Sequence, residues 1–256
     1  MKGQSLKNKV LNVLKYEGIS LAGVADASAL PAQKSEFSPP ALLTGAMSVI
    51  VFAVPIPRGV TNTPDNNLFQ YWRFCNMSYR KLDMAANAVC NFIEEEGANA
   101  APAYSCWPQR SVNREFFGLL PLVEWAAEAG LGQVSRCGLL VTPRYGTRVL
   151  LCGVVTDSAL KADKKPAAEI CPSGCNLCAE ICPAGAIDNK GKVDHVRCTR
   201  HANPNPLFQV LIKDESMKKS HSFETLLNTG GVDDHAVYSC AECMKACKLN
   251  NAHDTL

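Results

Sequence analysis

Apolar residues recur every three or four positions in two stretches of the first hundred residues, which predicts two amphipathic helices. The first helix should end at Gly18, and the second should run through residues 79–93 and end at Gly97. Two short stretches rich in β-branched residues, 20–28 and 47–57, predict strands. We expect these strands to be neighbours in one sheet.

The pattern becomes irregular between residues 100 and 117, where proline, serine, asparagine and aromatic residues follow one another without a period. We expect a loop here, and long loops in compact domains often form part of a binding site. Residues 121–129 then return to a helical pattern, with a proline at the first turn.

Two further strands are predicted after a glycine-containing turn, at residues 138–142 and 148–156. The polar segment 160–169 is typical of a linker. We therefore expect a larger domain at 1–160 and a smaller domain at 161–256, in keeping with a chain of 256 residues.

The smaller domain opens with four closely spaced cysteines in the pattern Cys-x3-Cys-x2-Cys-x3-Cys-Pro. Runs of this kind hold iron–sulfur clusters through thiolate ligands. A fifth cysteine and a Cys-x2-Cys-x3-Cys group follow, which gives the eight ligands that two four-iron clusters need. The eight are Cys171, Cys175, Cys178, Cys182, Cys198, Cys240, Cys243 and Cys247.

The partition of these cysteines follows by analogy with two-cluster ferredoxins, in which the last cysteine of a run ligates the other cluster. One cluster would take Cys171, Cys175, Cys178 and Cys247. The other would take Cys182, Cys198, Cys240 and Cys243. The first run has one residue more than the ferredoxin pattern, and we expect Gly174 to accommodate it with a positive φ.

Other uses of the cysteines fit less well. Structural zinc is held by paired Cys-x2-Cys units around isolated ions. Disulfides need an oxidising compartment, whereas thirteen is an odd number and the N-terminus lacks a secretory pattern. His195 and His201 would be ligands only if a cysteine did not serve. The longest apolar run is too short to cross a membrane, so we expect a cytoplasmic protein without a membrane partner.

The order of these features resembles the epoxyqueuosine reductases and, through the segment PRYGTRV, the reductive dehalogenases. The matching segments are AGLGQVSRCGLLVTPRYGTRV, CNLCAEICPAGAI, VRC and CAECMKAC. Both groups are corrinoid-dependent iron–sulfur proteins. The resemblance implies an α/β protein in which a nitroreductase-like α+β domain that holds cobalamin is fused to a small ferredoxin-like domain with two [4Fe-4S] clusters.

Glycines and arginines in these segments are candidates for the wall of the implied corrinoid site, because glycine lets backbone approach a ligand closely. The pattern also allows two solvated arginines in a hairpin. A dinucleotide-binding fingerprint is excluded, since the glycines follow a helix and not a strand. The candidate residues are Gly130, Gly132, Arg136, Gly138, Tyr145, Gly146 and Arg148.

The chain departs from the epoxyqueuosine reductases at the residues that handle protons. Their Asp-Tyr-His-Lys-Leu stretch is Ser78-Tyr79-Arg80-Lys81-Leu82 here, and their proton-donating aspartate falls on Phe116 or near Ser105. A proton donor must hold a proton near the working pH. Tyr79 and Tyr104 are then the candidate catalytic residues.

A nucleic acid partner is not expected. The family's helical-repeat extension, which is associated with tRNA, is not found after Cys247, and the net charge is only +2. A protein that binds nucleic acid usually presents a stronger positive field.

These features predict an iron–sulfur protein that passes electrons from an external low-potential donor through two clusters to a corrinoid, as an electron-transfer or corrinoid-reducing protein. One alternative is a reductive enzyme, dehalogenase-like or epoxide reductase-like, that acts on a small molecule. Another is a flavin-dependent electron carrier with FMN. Cys106, Cys137 and Cys152 stay unassigned, because no spacing links them.

Overall fold

The structure is a computed structural model that describes residues 5–30, 35–62, 68–106, 110–112, 115–188, 190–202 and 240–250. Its strands are β1 (Leu21–Asp26), β2 (Ser48–Pro55), β3 (Ala100–Ala103), β4 (Arg110–Val112), β5 (Glu115–Phe117), β6 (Gln133–Val134), β7 (Leu140–Val141) and β8 (Val149–Thr156). Its helices are α1 (Leu6–Tyr16), α2 (Pro39–Leu42), α3 (Arg58–Thr61), α4 (Leu68–Glu95), α5 (Leu122–Glu128), α6 (Leu177–Glu180), α7 (His195–Ala202) and α8 (Glu242–Ala246). Short 3₁₀ turns lie at Ser35–Phe37 and Lys248–Asn250.

A four-stranded antiparallel sheet with the order β1-β2-β8-β3 organises this mixed α/β structure. The predicted pairing of the first two strands is confirmed, with Val24 opposite Ile50. β8 lies in the middle of the sheet and is buried along its whole length, because its apolar run packs on both faces.

Helices cover both faces of the sheet and enclose two apolar cores. Ile50 and Phe52 of β2 point into the core beneath α1 and α4. Val49 and Val51, which alternate with them, point into the core beneath α5. The long predicted helix is confirmed as α4, although it begins earlier than its periodic part. None of the helices in the described ranges has both the length and the apolar character needed to span a membrane.

Two predictions about the region between α4 and β8 are wrong. Residues 100–117 are not a single loop, since they contain β3, which forms an edge of the central sheet, and the antiparallel pair β4–β5. The two strands predicted after the glycine turn do not form a hairpin with each other. β7 pairs with β6, while β8 joins the central sheet. Strands this short leave too few residues for a period to show.

The segment predicted as a linker, 160–169, is held against the sheet. The backbone N–H of Asp163 donates to the carbonyl of Val24 (2.8 Å), and the N–H of Val24 donates to the Asp163 carboxylate (2.9 Å). Lys7 forms an ion pair with the same carboxylate at 2.7 Å. The start of the cysteine-rich region is therefore fixed relative to β1.

Candidate functional site

The eight predicted ligand cysteines are carried by short helices and the turns around them. Cys178 lies on α6, Cys198 on α7 and Cys243 on α8, and the others lie at turns or helix ends. No disulfide joins any of the thirteen cysteines, all of which lie in the described ranges.

The loop that carries the first two ligands does not use the conformation predicted for it. Gly174 does not have a positive φ, so that prediction is wrong. The extra residue is instead taken up in an exposed turn, in which the N–H of Cys175 donates to the carbonyl of Pro172 at 3.0 Å. A turn of this kind needs no residue in the left-handed region.

Four of the eight predicted ligand cysteines line one cavity of about 300 Å³. These four come from three separate stretches of sequence and are the set that the ferredoxin analogy assigns to the second cluster. They are Cys182, Cys198, Cys240 and Cys243.

Three cysteines of the other predicted set lie close enough to influence one another electrostatically. The pKa of the Cys178 thiol is raised mainly by its interaction with Cys137 and by burial, with a smaller contribution from Cys171. Burial is the largest cause of the raised pKa of the Cys247 thiol, and Cys137 and Cys171 add to it. The C-terminal Cys247 therefore lies near the first cysteine run, and the partition of the eight cysteines stays a prediction.

The described residues form no site for a single metal ion. Within the described ranges, no three histidine, cysteine or acidic side chains converge as they would around one ion. Zinc holds its thiolates about 2.3 Å from one centre, whereas a cubane places several atoms between its ligands. The cluster assignment therefore rests on the number and type of these ligands.

Burial keeps the metal-free thiols of this region protonated. It raises the pKa of Cys198 to about 12, and it is also the largest cause of the raised pKa of Cys240 and Cys247. Iron binding must therefore displace protons from these sulfurs.

The far wall of the cavity is formed by the sheet and its helices, so the cavity lies between the two parts of the chain. Half-buried and buried apolar side chains dominate this wall. Among them are Tyr71 and Tyr79 of α4, Leu122 and Val123 of α5, and Val149, Leu150 and Leu151 of β8.

Of the seven residues predicted for a corrinoid wall, Gly138 alone lines this cavity. At two of the other candidate glycines, the group that approaches closely is a backbone carbonyl of the protein and not a ligand. A Cβ added at Gly132 would lie 2.1 Å from the carbonyl oxygen of Val141, and one at Gly130 would lie 2.5 Å from that of Lys164. Both glycines let segments of the chain pack together.

Gly146 likewise lets its own segment pack closely against the segment that follows the last cysteine. A Cβ there would lie 2.1 Å from Oδ1 of Asn250. That oxygen accepts a hydrogen bond from the N–H of Thr147 (2.8 Å), and the Asn250 amide donates to the carbonyl of Met244. The PRYGTRV segment thus holds the end of α8 in place. Beside Gly146, the Arg144 guanidinium lies over the Tyr145 ring at 5.3 Å.

The two candidate arginines also contact protein groups. Arg136 donates to the Asn176 side chain (2.6 Å) and to the carbonyl of Ser173 (2.9 Å), which ties the β6–β7 turn to the first cysteine loop. Arg148 is buried and donates to the carbonyl of Ile56, while its Nε has no partner among the described residues. The alternative of a solvated arginine is wrong for Arg148.

Comparison with known proteins places these features in a family context. No family model matches the chain. It is 31% identical over 137 residues to the epoxyqueuosine reductase of Listeria monocytogenes, covering 54% of this chain and 31% of the relative. It is 33% identical over 144 residues to the tetrachloroethene reductive dehalogenase of Sulfurospirillum multivorans, covering 55% of this chain and 26% of the relative. The chain is a homologue of both groups. It spans less than half the length of these curated relatives.

Solved structures of both groups share the fold. The epoxyqueuosine reductase of Streptococcus thermophilus superposes with a TM-score of 0.62 at 18% identity, covering 98% of this chain and 68% of that one. A catabolic reductive dehalogenase in complex with 3-bromo-4-hydroxybenzoic acid superposes with a TM-score of 0.60 at 18% identity, covering 96% of this chain and 32% of the dehalogenase chain.

This homologue of the epoxyqueuosine reductases presents a tyrosine and a serine at the cavity. Of the two candidate tyrosines, Tyr79 lines the cavity, whereas the Tyr104 hydroxyl donates to the Asn87 side chain at 3.0 Å. Ser105 also lines the cavity, and its hydroxyl donates to Oδ1 of Asp83 at 2.6 Å. Sequence reasoning missed Asp83, although it lies one helical turn after Tyr79.

His195 makes a structural contact with the backbone of Phe116. Nδ1 of His195 accepts a hydrogen bond from the N–H of Phe116 at 2.8 Å, which requires a ring without a proton on that nitrogen. Burial lowers the pKa of His195, although Glu115 and Asp194 act in the opposite direction. The ring is therefore held neutral against the cavity.

Replacing Gly132 by alanine should destabilise the protein whether or not a cofactor is bound, because the new methyl group would meet the Val141 carbonyl. Overpacking of this kind costs about 1–3 kcal/mol, so the melting temperature should fall. Gly59→Ala is the matched control, since a Cβ there meets nothing within 4 Å. Equal melting temperatures for the two variants would contradict the packing role.

The buried neutral ring of His195 makes stability depend on pH. Because its folded-state pKa lies below the ordinary 6.5, the unfolded chain takes up the proton first, and stability is lost as the pH falls below 6.5. In His195→Asn, which keeps an acceptor for Phe116, urea unfolding across that range should show a shallower pH dependence. An identical slope in the variant and the wild type would show that another group is responsible.

Proposed function

We propose that the protein is an iron–sulfur redox protein of the corrinoid-dependent type, which passes electrons from an external low-potential donor through two [4Fe-4S] clusters to a corrinoid. One observation supports this above the others: four predicted ligand cysteines and a largely apolar set of side chains line the same cavity. Its fold would be a nitroreductase-like domain joined to a two-cluster ferredoxin-like domain.

The residues fit two clusters by the chemistry of their donor sets. Each set offers four cysteines, the usual ligands of a four-iron cluster. We assign one cluster to Cys171, Cys175, Cys178 and Cys247. We assign the other to Cys182, Cys198, Cys240 and Cys243, which makes it the cluster nearer to the acceptor.

The chemical character of the cavity lining suits one face of a corrinoid. Apolar side chains suit the face of a large macrocycle, and Tyr71, Tyr79, Leu122, Leu139 and Leu150 would supply them. The enclosed volume of about 300 Å³ lies at the lower end of the range for drug-sized ligands. A corrinoid is larger than such ligands, so it would extend beyond the enclosed part. When bound, its cobalt would supply the strongly reducing centre.

Relatives support this assignment. A solved reductive dehalogenase that shares the fold is described with a mechanism for B12-dependent dehalogenation. In this chain, the cysteines would hold the clusters in position, and the apolar side chains would exclude water from the cavity. The cofactors would carry the redox chemistry itself.

The partners follow from charge and from cysteine usage. One epoxyqueuosine reductase has been solved with a tRNA stem loop. With a net charge of +2, a nucleic acid substrate is not favoured for this chain, and we propose a corrinoid or a small molecule as acceptor. Free thiols and reduced clusters suit a reducing compartment, such as the cytoplasm.

A reductive enzyme acting on a small molecule is the second candidate, because Tyr79 lines the cavity. Its hydroxyl would donate the proton that a reduced substrate requires. Loss of turnover in Tyr79→Phe but not in Tyr104→Phe would favour this candidate, since the Tyr104 hydroxyl is already paired with Asn87.

Anaerobic reconstitution with iron and sulfide should give two clusters, or about eight iron atoms per chain. Cys198→Ser removes a ligand of one cluster and should leave about four iron atoms. Cys90→Ser is the matched control, because that thiol is buried within α4 and should leave the iron content unchanged. Equal iron contents in all three proteins would contradict the assignment.

Adding cob(II)alamin to the reconstituted protein should produce a base-off visible spectrum that saturates with concentration. The physical reason is that the apolar wall would hold the corrinoid with its lower ligand displaced. An unchanged cob(II)alamin spectrum would exclude the corrinoid, and a flavin spectrum in the purified protein would favour FMN instead.

A further inference from the structure

Ser105 is a polar residue of the cavity lining that the proposed function does not use. It follows β3, is half-buried, and lines the cavity among mostly apolar side chains. Burying a hydroxyl costs free energy unless the hydroxyl is hydrogen-bonded. The partners of this hydroxyl therefore decide what it can offer to a ligand.

Asp83 of α4 holds Ser105 through two hydrogen bonds to one carboxylate oxygen. The Ser105 hydroxyl donates to Oδ1 of Asp83 at 2.6 Å, and the Ser105 N–H donates to the same oxygen at 2.9 Å. The sulfur of Cys152, which is fully buried, lies 3.7 Å from that oxygen. Both the backbone and the side chain of Ser105 are therefore fixed against α4.

A similar contact lies one helical turn further along α4, outside the cavity. Oδ1 of Asn87 accepts a hydrogen bond from the Tyr104 hydroxyl at 3.0 Å. Asn87 is exposed, and neither it nor Tyr104 belongs to the described lining of the cavity. The helix thus holds two successive residues after β3, of which Ser105 lines the cavity.

The hydrogen of the Ser105 hydroxyl is committed to the protein. A hydroxyl has one hydrogen to donate and two lone pairs that accept. The carbonyl of Tyr79 is the second acceptor near this hydroxyl, but at 3.5 Å it is too distant for a strong hydrogen bond. Within the described ranges, no group donates to the Ser105 oxygen. The oxygen therefore keeps its capacity to accept a hydrogen bond from a ligand.

We propose that Ser105, oriented by Asp83, accepts a hydrogen bond from the ligand of this cavity and selects a group that carries an N–H or O–H, such as a carboxamide, over a carboxylate. The proposal rests on the function proposed above and adds the side-chain chemistry of the corrinoid that would bind. Ser105 would contact the ligand, and Asp83 is a positioning residue.

The selection has an attractive part and a repulsive part. A carboxamide N–H would pair with the Ser105 oxygen. A carboxylate has no hydrogen to donate, so it would leave that oxygen unpaired and bring a second negative charge towards Asp83. The described contacts of the Asp83 side chain come from Ser105 and Cys152, with no lysine or arginine among them. Repulsion of the wrong group contributes to specificity as much as attraction of the right one.

The test measures the affinity of the full chain, reconstituted with iron and sulfide, for two corrinoids that differ in their side chains. Cobinamide carries carboxamides, whereas cobyrinic acid carries carboxylates. Equilibrium dialysis, read from the visible absorbance of the corrinoid, gives both Kd values. We expect the wild type to prefer cobinamide. Ser105→Ala should lower this preference about threefold to tenfold through weaker binding of cobinamide, as the loss of one hydrogen bond implies.

Variants of Asp83 test the orientation of the hydroxyl. Asp83→Ala should also lower the preference, because the released hydroxyl can turn and donate to a carboxylate. Asp83→Asn keeps an oxygen that accepts from Ser105 and should restore most of the preference. Asn87→Ala is the matched control, since it removes the contact of α4 with Tyr104 and should leave both Kd values unchanged.

The outcomes separate this proposal from the proposed function. An unchanged preference in Ser105→Ala, or weaker binding of both corrinoids by the same factor, would overturn the proposal and leave the corrinoid assignment intact. A wild type that prefers cobyrinic acid would do the same. A wild type that binds neither corrinoid would overturn both. Should Asp83→Ala fold poorly, Ser105→Ala decides alone, because it removes a single oxygen atom.

Discussion

The close packing of backbone against backbone at a few glycines is the constraint on which the arrangement of the site depends. Gly130 admits the segment that leads to the cysteines, and Gly146 admits the turn that ends them. A side chain at either position would push the two parts of the chain apart. These contacts fix the position of the cysteine-bearing segments against the rest of the chain.

Polar contacts complete the same interface. Asp163 joins the connecting segment to β1, Arg136 joins the β6–β7 turn to the first cysteine loop, and Asn250 joins the PRYGTRV segment to α8. Each contact pairs a side chain with backbone or with an amide, which is directional and short-ranged. These contacts therefore hold the segments that carry the cysteines against the rest of the chain.

The sequence predicted the parts of the structure that have a period or a strict spacing. The strands β1, β2 and β8 and the helix α4 follow from their apolar patterns, and the homology follows from the cysteine runs and the segments beside them. It did not predict β3 to β6, because strands of two to four residues carry no period, whereas β7 lies within the strand predicted at 138–142. Glycines were visible as sites of close approach, but the sequence does not show which group approaches. Cys137 could not be placed, because Cys243 and the other residues that line the cavity beside it are distant in the chain.

The position of β8 has a consequence for how such a site could diversify. Its first residues, Val149, Leu150 and Leu151, form part of the cavity wall and at the same time belong to the middle of the sheet. Trimming them to enlarge the cavity would remove core volume, at about 2–5 kcal/mol for each large-to-small change. Substitutions that change the shape of the cavity should destabilise the fold less at the half-buried residues Tyr79, Leu122 and Val123.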